Sequence, residues 1–224
     1  MERNLIKTRV CPRNFAEAAE RHGRHFARYL FAGRMATGKR VLDGACGSGY
    51  GSAYLATMAQ SVIGVDINEN LLKLAESRFK ADNLRFLKHD LHEPIEGVGT
   101  FNLICCFETL EHVRRPEICL ANLAFALDSG GTAIISVPNG TKERMAGGKE
   151  YHPNQFSARD FEDLLNSRFE EVQLFSQVYR KGIGHYIRKL TARSARHAYY
   201  YRFVPTLLDS AKTWLAICQK PYRK

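Results

Sequence analysis

The stretch from Arg40 to Ile67, RVLDGACGSGYGSAYLATMAQSVIGVDI, constrains the chain more than any other. Arg40 to Asp43 is a short apolar run ending in an acid, the pattern of a buried strand. Gly44-Ala45-Cys46-Gly47-Ser48-Gly49-Tyr50-Gly51 comes next and is too glycine-rich for the interior of a helix or strand. Ser52 to Ala59 then spaces Ala53, Leu55, Ala56 and Met58 as a helix packed on a sheet would. Ser61 to Val65 is a second apolar run, stopped by Asp66. The unit reads strand–loop–helix–strand with an acid at the tip of its second strand. Its physics calls for a nucleoside joined to something anionic. Glycines let backbone approach a ligand and turn sharply. The start of a helix offers free N–H groups and the positive end of its dipole. A carboxylate at the tip of the next strand can accept both hydroxyls of a ribose.

A nicotinamide dinucleotide is the first rival ligand, with the fingerprint G-x-G-x-x-G. In Gly47-Ser48-Gly49-Tyr50-Gly51-Ser52 the third glycine position holds Ser52, and the strand already ends in Asp43 before the first glycine. Length and composition narrow the choice further. A chain of 224 residues predicts one domain with one core. No apolar run approaches the roughly 20 residues of a bilayer span. The first residues, Met1 to Lys7, lack the apolar core of a secretion signal. Cys11, Cys46, Cys105, Cys106, Cys119 and Cys218 show no paired metal or disulfide spacing, and Cys105-Cys106 lie in an apolar run as buried thiols would, which fits a reducing, cytoplasmic setting. The net charge of +10 points to an acidic partner, whether phosphate, nucleic acid or an anionic membrane.

The remaining elements alternate. Residues 13–38 carry Phe15, Ala18, Ala19, His22, Phe26, Tyr29 and Leu30 near helical spacing, broken at Gly23. Asn68 to Ala81 reads as a helix, Leu84 to Lys88 as a third strand, and Phe101 to Phe107 as a fourth. The last of these, FNLICCF, is apolar almost throughout, as a central parallel strand covered on both faces should be. A helix is expected over Val113 to Leu127, a fifth strand over Thr132 to Val137, and a long polar loop over residues 140–155. Ser157 to Asp160 matches a capping box. Phe169 to Ser176 and Trp214 to Gln219 are the last strands expected. Between them, Val178 to Val204 carries seven Lys or Arg and no acid, interleaved with His, Tyr and Phe. This basic insertion, at about 178–210 and helical in part, suits phosphate or base stacking, an anionic membrane surface, or a solvated hairpin with its aromatics inward.

VLDGACGSGYG resembles motif I of the class I S-adenosylmethionine (SAM) methyltransferases, and VIGVDI resembles the segment that comes after motif I in that family. The resemblance spans roughly residues 25–177 plus the terminal strand. It is carried further by the Arg28-Tyr29 pair, by FETLEH, SVPN and YHPNQFS. It implies an α/β, Rossmann-like, doubly wound fold with a seven-stranded, mostly parallel sheet in the order 3-2-1-4-5-7-6. It also implies a single domain over 1–224. The cofactor shell it implies is Tyr29, Asp43, Gly44, Ala45, Gly47, Gly49, Asp66, Ile67, Asp90, Leu91 and Phe107. Asp90 would meet the adenine amino group and Leu91 would pack on the ring; the other reading of Asp90 is an exposed loop acid.

Methyl transfer is an in-line displacement, so positioning and water exclusion supply much of the rate, roughly 7–11 kcal/mol. A hydroxyl acceptor also needs a base or a metal. Glu108, Glu111 and His112 come directly after the fourth strand, and on a helical turn they would share a face. This E-x-x-E-H pattern resembles O-methyltransferases of ubiquinone biosynthesis and those that methylate the terminal 2′-hydroxyl of small RNAs. That resemblance implies a divalent ion, Mg²⁺ or Mn²⁺, held by Glu108, Glu111 and His112; the resemblance to the RNA group adds His152 as a further ligand. Two other readings stay open: metal-free acid/base chemistry by His112, or residues that merely start the next helix. The expected function is O-methylation of a small molecule, sugar or lipid-linked acceptor, which can bear phosphate. The alternatives are RNA 2′-O-methylation and a non-catalytic SAM-binding subunit that docks an assembly to nucleic acid or membrane.

Overall fold

The computed structural model describes residues 12–140, 153–179, 198 and 201–222. Two short helices come first, α1 (Phe15–Arg21) and α2 (Gly23–Gly33). Asn14 caps α1 by accepting the Glu17 N–H at 2.9 Å. The break expected at Gly23 falls at His22, which leaves helical geometry with ψ 30°. Then come β1 (Arg40–Gly44), α3 (Tyr50–Ala56), β2 (Ser61–Asp66), α4 (Glu69–Arg78), β3 (Leu84–Lys88) and β4 (Phe101–Phe107). The chain continues with α5 (Pro116–Ala126), β5 (Leu127–Pro138), α6 (Ala158–Asn166), β6 (Phe169–Tyr179), β7 (Tyr201–Val204) and β8 (Thr213–Pro221).

One sheet holds all the strands, in the order β3-β2-β1-β4-β5-β8-β6-β7. The first five in sequence pair in parallel, and β8 enters antiparallel between β5 and β6. The doubly wound expectation is met, with one correction: the described strands number eight, not seven. The extra strand, β7, comes from the stretch expected to be an insertion helical in part. Tyr201, Phe203 and Val204 are half-buried and Arg202 is exposed. Phe203 packs on Phe31 of α2 with ring centroids 4.6 Å apart, and the backbone closes the open side of β6. A period of two buried against an aromatic outweighs basic composition. The rest of the basic span, residues 180–197 and 199–200, lies outside the described residues.

The sheet is covered on both faces, which explains FNLICCF. Leu103, Cys105 and Phe107 turn to the face of α2 and α3, while Ile104 and Cys106 turn to the face of α5 and α6. All of these are at most 4% exposed. Cys105 and Cys106 are buried free thiols, as expected, and so are the other described cysteines. Burial raises the pKa of Cys105 and Cys106 well above the ordinary thiol value, so neither supplies a thiolate. Among the described residues no helix is long and apolar enough to cross a membrane. The register places the C-terminal ends of β1, β2, β4, β5 and β6 on one edge of the sheet, where crevices for ligands form in such folds.

Candidate active site

At that edge the loop after β1 is built on two buried carboxylates. Asp43 is fully buried and accepts from Ser52 Oγ at 2.6 Å and from Tyr29 Oη at 3.2 Å. Burial raises its pKa from 3.8 to about 7, against the two hydrogen bonds that lower it. Asp66, at the tip of β2, accepts the Gly47 N–H on one oxygen and the Asn68 N–H on the other, both at 2.8 Å. The second carboxylate therefore sets the loop of the first strand and the start of α4 together. Ala45 (φ 57°), Gly47 (φ 59°) and Gly49 (φ 77°) give the loop its left-handed turns. At Gly49 a Cβ would lie 2.5 Å from the Ala75 Cβ and 2.7 Å from the Phe86 ring, so no other residue fits without moving α4 or β3.

The expected cofactor residues gather here. Gly44 pairs in register with Val65 and with Cys106, so Asp66 and Phe107 stand one step beyond it on either side. Leu91 comes within 3.5 Å of the position of a Gly44 Cβ, and its own carbonyl accepts from Asn122 on α5 at 2.9 Å. Ile67, directly after Asp66, is 61% exposed, an apolar side chain held at the rim of the crevice. Asp90 stands nearby, since the His89 N–H donates to the Asp66 carbonyl at 3.1 Å. Tyr29 is different: it is 3% exposed, wedged edge-on between Phe107 (5.0 Å) and Tyr50 (5.7 Å) and laid over Gly51. It supports the loop from beneath.

The residues after β4 do not form the helical turn expected of them. Glu108 has φ 51°, a left-handed conformation uncommon for a residue with a side chain, and α5 begins only at Pro116. The three-and-four spacing of Glu108, Glu111 and His112 therefore does not put them on one helical face. Glu108 turns back under the sheet. Its Oε1 lies 3.4 Å from Nη1 of Arg28 and 3.5 Å from Ser136 Oγ. Arg28 is itself 1% exposed and donates to Gln177 Oε1 on β6 at 3.1 Å. Glu111 is 1% exposed, whereas the side chain of His112 is 54% exposed with Nε2 4.0 Å from Glu111 Oε1. Asn154 holds this turn: its Nδ2 donates to the Leu110 and Val113 carbonyls at 3.0 and 2.6 Å, and its N–H to the Glu111 carbonyl at 3.2 Å. Among the described residues no three His, Cys, Asp or Glu side chains gather as a metal site. His152 lies outside the described residues.

Four residues that shape the site carry little or no sequence signal of their own. Arg28 is visible only as half of an Arg-Tyr pair, and Asn154 only inside YHPNQFS. Ser52 reads as a missing glycine. Gln177 joins Arg28 across 149 residues, a distance that no local pattern spans.

A model of the family described as methyltransferase domain matches residues 15–174. A ubiquinone biosynthesis O-methyltransferase from Coxiella burnetii is 34% identical over 104 residues, which is 46% of this chain and 44% of that protein. The protein of the same description from Dechloromonas aromatica is 34% identical over 107 residues, covering 46% and 45%. The match thus spans less than half the length of either relative. Among solved structures, a SAM-dependent methyltransferase from Thermotoga maritima superposes with a TM-score of 0.64 at 17% identity, over 88% of this chain and 91% of that one. The magnesium protoporphyrin IX methyltransferase of Synechocystis, solved with bound SAH, gives 0.60 at 19% identity over 97% and 94%. At such identities these structures speak to the fold. The family model covers most of the residues, and on that ground the chain belongs to the methyltransferase-domain family.

Proposed function

We propose that the chain is a SAM-dependent methyltransferase that methylates a hydroxyl of a small acceptor. The observation that carries the cofactor reading is the rim at the end of β2. A carboxylate that organises the glycine loop stands beside an apolar side chain, Ile67, which is 61% exposed. Ribose hydroxyls suit Asp66, since a carboxylate offers about four acceptor sites. The two faces of an adenine suit Ile67 and Leu91, with Asp90 to accept from the exocyclic amine. Bound SAM supplies an electrophilic methyl on a sulfonium. The protein's own part is to position, to exclude water and to take one proton. Tyr29 and Phe107 close the loop from below. In this reading His112, exposed in the turn after β4, takes the hydroxyl proton, with the buried Glu111 carboxylate 4.0 Å from its Nε2.

The donor set among the described residues does not fit a divalent ion. Glu108 is already the counter-charge of Arg28, and Glu111 and His112 differ in burial from 1% to 54% exposed. The hydroxyl acceptor is supported by the ubiquinone biosynthesis O-methyltransferases that share 34% identity over 104 residues. Calorimetric titration of SAM into the wild type and into Asp66→Ala tests the reading. We expect micromolar binding by the wild type, weakened at least tenfold in the variant and unchanged by EDTA. A folded wild type that binds no SAM would overturn it.

A further inference from the structure

We infer that His92 is a positioning residue for the cofactor's adenine: it holds one oxygen of Asp90 so that the other faces the exocyclic amine. The inference rests on the SAM reading above and adds a residue that the reading did not use.

The geometry lies in the turn after β3. Both polar groups of His92 converge on one atom. Its backbone N–H donates to Asp90 Oδ1 at 3.0 Å, and its Nδ1 lies 2.9 Å from the same oxygen. These bonds hold the Asp90 pKa below the usual carboxylate value, the backbone N–H contributing most, so Asp90 is ionised at neutral pH. A carboxylate only accepts, so Nδ1 must carry the imidazole proton. Nε2 is buried and has no hydrogen-bond partner among the described residues. The Nδ1–H tautomer is the one that avoids burying an unpaired N–H there.

Oδ2 of Asp90 is left with no hydrogen bond among the described residues, on a side chain 44% exposed. The turn around it is fixed on three sides. The Glu93 N–H donates to the Asp90 carbonyl at 2.9 Å, His89 is tied to the Asp66 carbonyl, and Asn122 holds the Leu91 carbonyl. A carboxylate with one oxygen occupied and the other open, on a rigid turn beside Asp66 and Leu91, discriminates a ring that offers an N–H₂ from one that does not. Such a site loses affinity for an analogue lacking the donor because its acceptor is then left unmatched.

The test compares two ligands on the intact chain. One is S-adenosylhomocysteine; the other is its analogue with the exocyclic amino group replaced by hydrogen. His92→Phe keeps a ring of similar size and removes the Nδ1 donor. We expect it to weaken S-adenosylhomocysteine roughly fivefold to twentyfold, through a less well held acceptor, and to leave the analogue within about twofold. His92→Asn returns a side-chain N–H near the Nδ1 position and should restore the wild-type preference between the two ligands. Equal weakening of both ligands by His92→Phe would mark a merely structural residue and overturn the inference. If the wild type prefers S-adenosylhomocysteine but His92→Phe keeps the full preference, the inference also falls while the cofactor reading stands. Binding of neither ligand by the wild type removes both.

Discussion

Asp43 gives the sharpest physical test of the loop. Replacing it with Asn removes a titrating group that is fully buried and carries a pKa of about 7 in the native state, raised by burial from 3.8. Between those two values the native chain holds a proton that the unfolded chain has lost. The native state therefore binds more protons, and stability must fall as pH rises. Each pH unit in that window costs about 1.36 kcal/mol. From pH 5 to pH 8.5 the wild type should lose roughly 2.5–3 kcal/mol relative to Asp43→Asn, with the slope flattening above pH 7. Other groups cancel in the comparison, and so does any fixed cost of presenting an amide to Ser52 and Tyr29. Urea unfolding followed by tryptophan fluorescence reads it directly. The chain has one tryptophan, Trp214, which is 2% exposed on β8 at the centre of the sheet's antiparallel side. Parallel stability curves for the two proteins over this range would refute the reasoning. They would mean that the hydrogen bonds from Ser52 and Tyr29 outweigh burial and that Asp43 is ionised throughout.

Gly51→Ala should destabilise by about 1–3 kcal/mol despite better helix propensity, because its Cβ would overlap a Tyr29 ring that Phe107 and Tyr50 hold in place. Thermal unfolding checks this, and Tyr29→Leu in the same chain should recover part of the loss. Glu108→Ala should cost about 3–5 kcal/mol by stranding the buried Arg28 cation, with the double variant Arg28→Met, Glu108→Ala closer to wild type than the single one in urea unfolding.

The fold is legible wherever local periodicity and burial agree. β3 and β4 begin and end at the residues expected of them, and Ser157 and Asp160 form the reciprocal capping box, with both bonds present. The start of β5 is not legible. Ser129-Gly130-Gly131 reads as a helix stop, yet α5 ends at Ala126 and the chain is already extended from Leu127, with a register shift against β4 between Phe101 and Leu103. Glycines in a strand mark irregular pairing as readily as a turn. For the site, the loop and Asp66 are legible because their chemistry is local: a strand end, glycines and the next strand end. The E-x-x-E-H segment is not, because its geometry depends on one residue with positive φ. A face argument assumes a helix, and Glu108 leaves helical space before the count begins.

That conformation has a physical rationale in Arg28. A guanidinium 1% exposed between α2 and β6 must find a counter-charge, since an unpaired buried cation costs several kcal/mol. Gln177 offers only a neutral oxygen, and Gln177 itself donates to the Arg24 carbonyl at 2.6 Å, tying β6 to the start of α2. Glu108 is the carboxylate that closes the set. Holding it at φ 51° costs on the order of 1–2 kcal/mol, less than leaving Arg28 uncompensated. The same segment spelled on a chain without a buried arginine at this place would have its first glutamate free for other chemistry. The role of that glutamate is therefore decided by a residue 80 positions upstream in the sequence.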